Sequence, residues 1–431
     1  HLHQNFPFLE DGKLLIAISG GVDSVVLAYL CSQLNLNFSL CHCNFNLRGQ
    51  ESDDDEAYVK NLAKNLQIPV YTTSFETEKY ATKNKVSIQV AARELRYAWF
   101  YELLEKKDYE YVLTAHNTND NLETFIINLT RGSGLEGFTG IPPINNKAVR
   151  PLLAFSRDDI TLFAIKNEID WREDKSNASI KYIRNKVRHK VIPILKEINP
   201  HVLESFQNTL EYLNESQSII SDATKNISEK VVTYENNLLK LNCKKLTELS
   251  NKKAYLYQLL HTYGFTAWND VVDLISGQAG KQVFSKTHRL LKDRNFLILT
   301  TNNKNITEKG PFLIKETSTE ISHPINLTIQ ETSDGIPENK HQIIINKDLV
   351  SYPLSLKKWH HGDAIYPIGM TGSKKISQLF KDKKLSLLDK EKIWLLCDAE
   401  DTIIWVIGLR QDRRFTVDKT TKNRIKISYI S

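Results

Sequence analysis

Four short β-rich runs, residues 14–18, 38–42, 70–74 and 111–115, alternate with segments long enough to be helices, and this alternation constrains the fold more than any other feature. Parallel strands need a crossover between them, so strands spaced by helical patterns predict an α/β fold with a doubly wound parallel sheet. Between the last two runs Ile88, Ala91, Ala92, Leu95, Ala98 and Trp99 recur at helical spacing and should face that sheet. The polar side of the same helix holds Arg93, Arg96 and Tyr97. Ligands of such sheets bind outside the carboxyl ends of the strands. Three polar constellations fall there, at residues 19–24, 42–48 and 116–124.

The first of them, Ser19-Gly20-Gly21-Val22-Asp23-Ser24, follows a strand and opens a helix. Glycine lets the backbone turn sharply and present several N–H groups to one anion, and the helix adds its positive dipole end. The spacing is neither that of the nucleoside-triphosphate P-loop nor that of the dinucleotide fingerprint. It resembles the pyrophosphate loop of the N-type ATP pyrophosphatases. That resemblance implies adenylation with release of pyrophosphate, rather than kinase chemistry. A glycine turn with a helix cap at Asp23 is the plain structural alternative.

After about residue 205 the alternation stops. Residues 1–205 read as the catalytic α/β domain and 206–302 as a mainly helical middle domain, with Val202, Phe206, Leu210 and Leu213 as a buried stripe. Residues 303–342 read as a connection and 343–431 as a small α+β domain. A net charge of +6 suits a polyanionic partner only if the basic residues cluster. No apolar run approaches a membrane span, and the N-terminus lacks the order of a signal peptide, so a cytoplasmic place and no membrane partner are expected. A first residue other than Met reads as a trimmed N-terminus. Five cysteines argue against a disulfide scaffold, and Cys41 and Cys43 share one face of a strand as core thiols.

His42-x-Asn44-x-Asn46-Leu47-Arg48, with Glu51 and the acidic run 52–56, is a second constellation. Taken by itself it reads as a strand end and an acidic helix start. The third, from Thr114 through His116, Asn117, Asn119, Asp120 and Glu123 to Thr124, sets two carboxylates three apart at a helix start. They could hold an ammonium or Mg²⁺, or form a capping box with Asp120 as N-cap. Arg131-Gly132-Ser133-Gly134 ends that helix; it is a C-cap, or a cation beside exposed amides suited to a phosphate. Arg150-Pro151-Leu152-Leu153, Trp171-Arg172-Glu173-Asp174-x-Ser176-Asn177 and Tyr182-x-Arg184-Asn185-x-x-Arg188 follow, the last two arginines sharing a helix face. Near the C-terminus Gly362-Asp363, Pro367, Gly369, Gly372, Lys374-Lys375 and Phe380 precede Arg410, Asp412, Arg413 and Arg414. Their basic residues could dock an RNA stem by phosphate contact, or be a solubilising surface.

Together these motifs resemble the tRNA(Ile)-lysidine synthetases over nearly the whole chain. In that family the segment matching Thr114–Thr124 is usually richer in histidine and aspartate; here Asn117 and Asn119 stand in their place. The resemblance implies adenylation of the wobble cytidine of an isoleucine tRNA with a CAU anticodon, then displacement of AMP by L-lysine. It implies ATP binding by Ser19, Gly20, Gly21, Val22, Asp23, Ser24, His42, Asn44, Arg131 and Gly132, with Asp23 on Mg²⁺. Asp23, His116, Asp120 and Glu123 would carry catalysis or lysine binding. Arg93, Arg184, Arg188, Lys374, Lys375, Arg410 and Arg414 would contact tRNA. A homodimer would let one tRNA touch different subunits. The alternatives are a tRNA thiolase of the same superfamily, which usually needs paired cysteines for sulfur, and a non-catalytic tRNA-binding protein.

Overall fold

The computed structural model describes residues 1–173, 183–302 and 310–430. They divide into two units, His1–Asp222 and Ala223–Ser431. In the first, β1 (Leu14–Ala17), β2 (Phe38–Asn44), β3 (Val70–Ser74), β4 (Tyr111–Leu113), β5 (Ile144–Asn145) and β6 (Ala148–Val149) form one sheet in the order β3-β2-β1-β4-β6-β5. All pairs are parallel except the β5–β6 hairpin at the edge. The expected α/β fold with a parallel sheet is borne out. Its central strands read as continuous apolar runs because both faces are covered.

Alternation along the strands divides the core in two. Leu14, Ile16 and Leu40 pack with Val25, Val26 and Ala28 of the helix Val22–Gln33. Leu15, Cys41, Val112 and Ala148 face the other way, onto Phe100, Leu103 and Leu104 of the helix Ile88–Lys107. That helix buries Ala91 as expected, but Ala98 is exposed and Phe100 takes the core position. The bulky ring wins because burying it removes far more apolar surface from water than an alanine methyl does.

A third cluster sets the position of later side chains. Phe206 and Leu210 of the long helix Val202–Val231 pack with Leu122 and Val187, so the expected stripe on that helix is a buried one at these two positions. All five cysteines are free thiols, and burial pushes the Cys43 thiol up to about 12. Among the described residues no helix is long and apolar enough to cross a membrane.

The second unit begins with helices and a five-stranded antiparallel sheet. Its strands, in spatial order, are Val232–Glu235, Leu238–Asn242, Phe296–Thr301, His288–Asp293 and Gln282–Phe284. Helices Lys252–Leu260 and Trp268–Asp273 close its core around Leu256, Leu260 and Val271. The sequence announces this sheet only at Phe296–Leu299, because its other strands are short and mixed in polarity. Among the described residues the α+β region beyond carries three more sheets, the two larger ones around Trp405, Leu356 and Ile427 and a two-stranded one that pairs Ala364–Ile365 with Lys374–Lys375, with short helices Ile376–Asp382 and Leu387–Lys392. Residues read as a connection contribute to them: Phe312–Ile314 pairs with Leu354–Lys357, and Asn326–Glu331 with Arg424–Ile430. Phe312–Ile314 is a three-residue strand at a sheet edge, which local composition hardly distinguishes from a loop, whereas Asn326–Glu331 lies inside its sheet, with Leu327 and Ile329 alternating on the buried face.

Candidate active site

The first constellation lies where β1 meets the helix Val22–Gln33. Gly20 has φ +90°, a left-handed conformation, and a Cβ there would sit 3.5 Å from the Tyr58 ring. Gly21 is the helix N-cap and places no side chain over the first turn, which leaves its N–H groups for an anion. Ser24 Oγ donates to the Gly21 carbonyl at 3.0 Å and accepts from the Ser19 N–H at 3.2 Å, so the loop is braced from within. Substituting Gly20 by Ala is expected to cost about 1–2 kcal/mol in stability through its backbone angle. It should also raise the KM for ATP. Urea unfolding and ATP titration check both, and unchanged values would show that the loop tolerates a side chain.

The second constellation secures this loop from the side. His42 Nδ1 lies 2.9 Å from the Ile18 carbonyl, and burial holds its pKa below the usual histidine value. Asn44 Nδ2 donates to Asp53 and Glu56 at the start of the helix Gln50–Asn65. Asp55, buried in that helix, accepts from Arg48 at 2.8 Å and from Arg172 at 2.6 Å. Arg172 also donates its backbone N–H to the Gly20 carbonyl at 3.0 Å. The sequence quotes Arg172 in a motif without giving it this work. Asp174, Ser176, Asn177 and Tyr182 of the same motifs lie outside the described residues.

The third constellation is a capping box, but it begins three residues earlier than the one read with Asp120 as N-cap. Asn117 is the N-cap of the helix Thr118–Thr130: its side chain accepts from Asp120 N–H, and the Asp120 carboxylate accepts from Asn117 N–H. Asn117 Nδ2 also donates to Asp23 at 3.0 Å, and Asn119 Oδ1 accepts from the Arg157 N–H at 3.0 Å. The two asparagines that depart from the expected pattern thus hold neighbouring elements together.

Asp23 is further paired with Arg157 at 3.1 Å. Burial raises the Asp23 pKa against the pull of that guanidinium. Asp120 and Glu123 point the same way, as expected from their spacing, and both meet Arg184 and Arg188. Glu123 is fully buried and accepts from Arg184 Nε at 2.7 Å and Arg188 Nε at 2.6 Å. Asp120 accepts from the same two arginines at 3.2 and 3.3 Å. Val187, buried against Leu122, presses this segment onto the helix, and residues Val187–Val191 form a π-helical turn. Three carboxylates and three guanidiniums are therefore neutralised side by side.

Ser19, Gly21, Asp23, Ser24, His42, Asn44, His116, Asp120, Arg184 and Arg188 all line one cleft of about 750 Å³ at the carboxyl edge of the sheet. Arg48, Phe45, Arg96, Arg157 and Arg172 line it too, although the sequence reading assigned them no role in the site. Arg96 and Tyr97 were legible as the polar face of their helix; Arg157 carried no local signal. His116 Nδ1 is 3.0 Å from Thr114 Oγ1. Burial, with the arginines at 150, 184, 93 and 96, lowers its pKa to about 3, so the ring is neutral at physiological pH.

Some expected site residues lie elsewhere. Arg131 and Gly132 sit at the far end of the helix Thr118–Thr130, about 20 Å from its N-terminus by helix rise. They do not line the cleft, and the ATP role expected of them is not supported, because this helix aims its other end at the site. Glu123 is behind the cleft wall and sets the arginines in place. In the second unit Lys374 pairs with Asp382, and Arg414 with the buried Asp412. Arg413 donates to the carbonyls of Met370 and Thr371. Lys375 and Arg410 remain exposed. The basic stretch is thus partly a set of internal braces.

The family model of the PP-loop domain matches residues 1–195. That of the TilS substrate binding domain matches residues 234–303, and that of the TilS substrate C-terminal domain residues 354–427. Among curated proteins the chain is similar to the tRNA(Ile)-lysidine synthase of Parabacteroides distasonis, 38% identical over 427 residues, covering 98% of this chain and 96% of that one. It is 37% identical over 429 residues to the protein of the same name from Bacteroides thetaiotaomicron, covering 99% and 97%. The corresponding protein of Porphyromonas gingivalis strain W83 is 34% identical over 428 residues, covering 95% and 92%.

Proposed function

The chain belongs to the tRNA(Ile)-lysidine synthase family, and from that membership we propose that its cleft joins L-lysine to the wobble cytidine of an isoleucine tRNA bearing a CAU anticodon. The observation that carries the reading is the meeting of the glycine loop, Asp23 and Asp120 in one cleft. The enzyme is an ATP-dependent ligase. In the first step the cytosine oxygen at position 2 attacks the α-phosphorus of ATP, the P–O bond to the β-phosphate breaks, and pyrophosphate leaves. The N–H groups of the helix's first turn after Gly21 are fixed donors for that leaving group, which need no reorganisation as charge develops. In the second step the lysine amine attacks carbon 2 and AMP departs.

Asp120 lines the cleft, with one oxygen on Arg184 and Arg188 and the other on the Asn117 N–H, and is the carboxylate within reach of the lysine ammonium; Glu123 is buried, with both oxygens on the same two arginines. His116 lines the cleft and stays neutral at physiological pH, so it can orient the lysine amine through a hydrogen bond, while a pKa of about 3 makes it too weak a base to hold the proton that lysine sheds. Burial, and after it the negative charge of Asp120, raises the Asp23 pKa, and the two carboxylates line one cleft, a donor set that suits Mg²⁺, which takes one or two carboxylates and otherwise water and phosphate oxygens. Asp23 would hold such an ion, which would neutralise charge on the pyrophosphate. A thiolase is not favoured: Cys41 is buried, and burial raises the pKa of both Cys41 and Cys43, leaving them poor nucleophiles.

Incubation of the protein with ATP, radiolabelled lysine and a CAU-anticodon isoleucine tRNA transcript should place label in the RNA and release pyrophosphate. RNA that binds without acquiring label would sink the reading.

A further inference from the structure

Of the arginines lining the cleft, Arg48, Arg157, Arg172, Arg184 and Arg188 each pair with a carboxylate. Among the described residues Arg96 has no such partner, and neither does Arg93 one turn earlier on the same helix. Both guanidiniums are instead laid on aromatic rings: Arg96 is 5.1 Å from the Phe45 centroid and Arg93 is 4.8 Å from that of Tyr97. Phe45 in turn stacks on Phe75 at 5.7 Å. A guanidinium resting on a ring keeps its charge and directs its N–H edge away from the ring plane. Both arginines are exposed, Arg96 into the cleft.

These two charges lie on the other side of the sheet from the glycine loop. The helix Val22–Gln33 covers the face of Leu14 and Ile16, and the helix Ile88–Lys107 covers that of Leu15 and Cys41. With the floor of the cleft neutral by internal pairing, Arg96 supplies an uncompensated positive charge in a concave site, and Arg93 adds to it from one turn away on the same helix. Such a charge attracts an anion, and a planar aromatic backing beside it suits the sugar-phosphate track of an unstacked single strand.

We propose that Arg96, with Arg93 beside it, seats a backbone phosphate of the RNA next to the reacting nucleotide, a second anion site separate from the ATP-phosphate grip. This rests on the substrate reading given above. It gives the cleft two phosphate holds on opposite faces of one sheet edge, one for each substrate.

The test uses the full chain and an unmodified CAU-anticodon isoleucine tRNA transcript, with affinity measured over a series of salt concentrations. ATP affinity is measured separately without RNA. Arg96→Ala should weaken RNA binding roughly tenfold and lower the slope of log affinity against log salt by about 1, with ATP affinity unchanged. Arg96→Lys, which keeps the charge, should retain the slope, and the double variant with Arg93→Ala should lose more of it. A slope unchanged in Arg96→Ala while the wild-type protein binds normally overturns the assignment. Loss of ATP affinity in that variant overturns it too, by giving Arg96 to the nucleotide. Wild-type protein that fails to bind the transcript overturns the substrate reading itself, and the phosphate seat with it.

Discussion

Replacement of Glu123 by Ala is expected to lower the unfolding free energy by about 3 kcal/mol and to abolish transfer of lysine to RNA. Glu123 is fully buried, and its two oxygens take three charged hydrogen bonds from Arg184 and Arg188. Without it, two guanidiniums of like charge face each other with only Asp120 between them. The arginine side chains are 38% and 24% exposed, so water recovers part of the loss, which places the cost at the lower end for a broken buried pair. Glu123→Gln keeps the volume and one acceptor, and should cost less than half as much. Denaturant unfolding of both variants decides the matter. A loss below about 1 kcal/mol for Glu123→Ala would mean that the arginines reorient into solvent and that Glu123 is not their anchor.

Asp23→Ala is expected to reduce pyrophosphate release by at least about a hundredfold, the scale for removing one group that stabilises developing charge. RNA affinity should stay near the wild-type value. Asp23 stands in the first turn of the helix that presents the glycine loop, joins it to Asn117, and neutralises Arg157. Removing the carboxylate therefore takes away the proposed ligand for a phosphate-bound cation and releases Arg157. The double variant Asp23→Ala with Arg157→Ala separates the two effects. If freed Arg157 misplaces ATP, the double variant regains ATP affinity but not turnover. Pyrophosphate release at the wild-type rate in Asp23→Ala would remove Asp23 from the reaction.

Much of the fold and the chemistry of the loop were legible because their signals are local. The parallel sheet is written as apolar runs at crossover spacing, and β3 has the bounds read from sequence. Gly20 and Gly21 announce a turn that other residues resist. The arginine pair at 184 and 188 was legible as one helix face, but not the direction of that face: a solvated RNA contact and an internal brace give the same spacing. Lys374 and Arg414 met the same ambiguity, and each is tied to a carboxylate of its own module.

The parallel sheet and the convergence of three loops on one of its edges followed from periodicity and glycine placement, since these record what the backbone does within a dozen residues, and the reaction type followed from the resemblance that the motifs carry. Which charges cancel and which remain was decided by the tertiary structure alone. Asp23 meets Asn117 and Arg157, 94 and 134 residues away, and ion pairing depends on separation in space, falling off over a few ångströms. Only after those pairs are formed do Arg93 and Arg96 stand out as the charge left for a partner, because a formal charge read along a chain does not say which neighbour neutralises it.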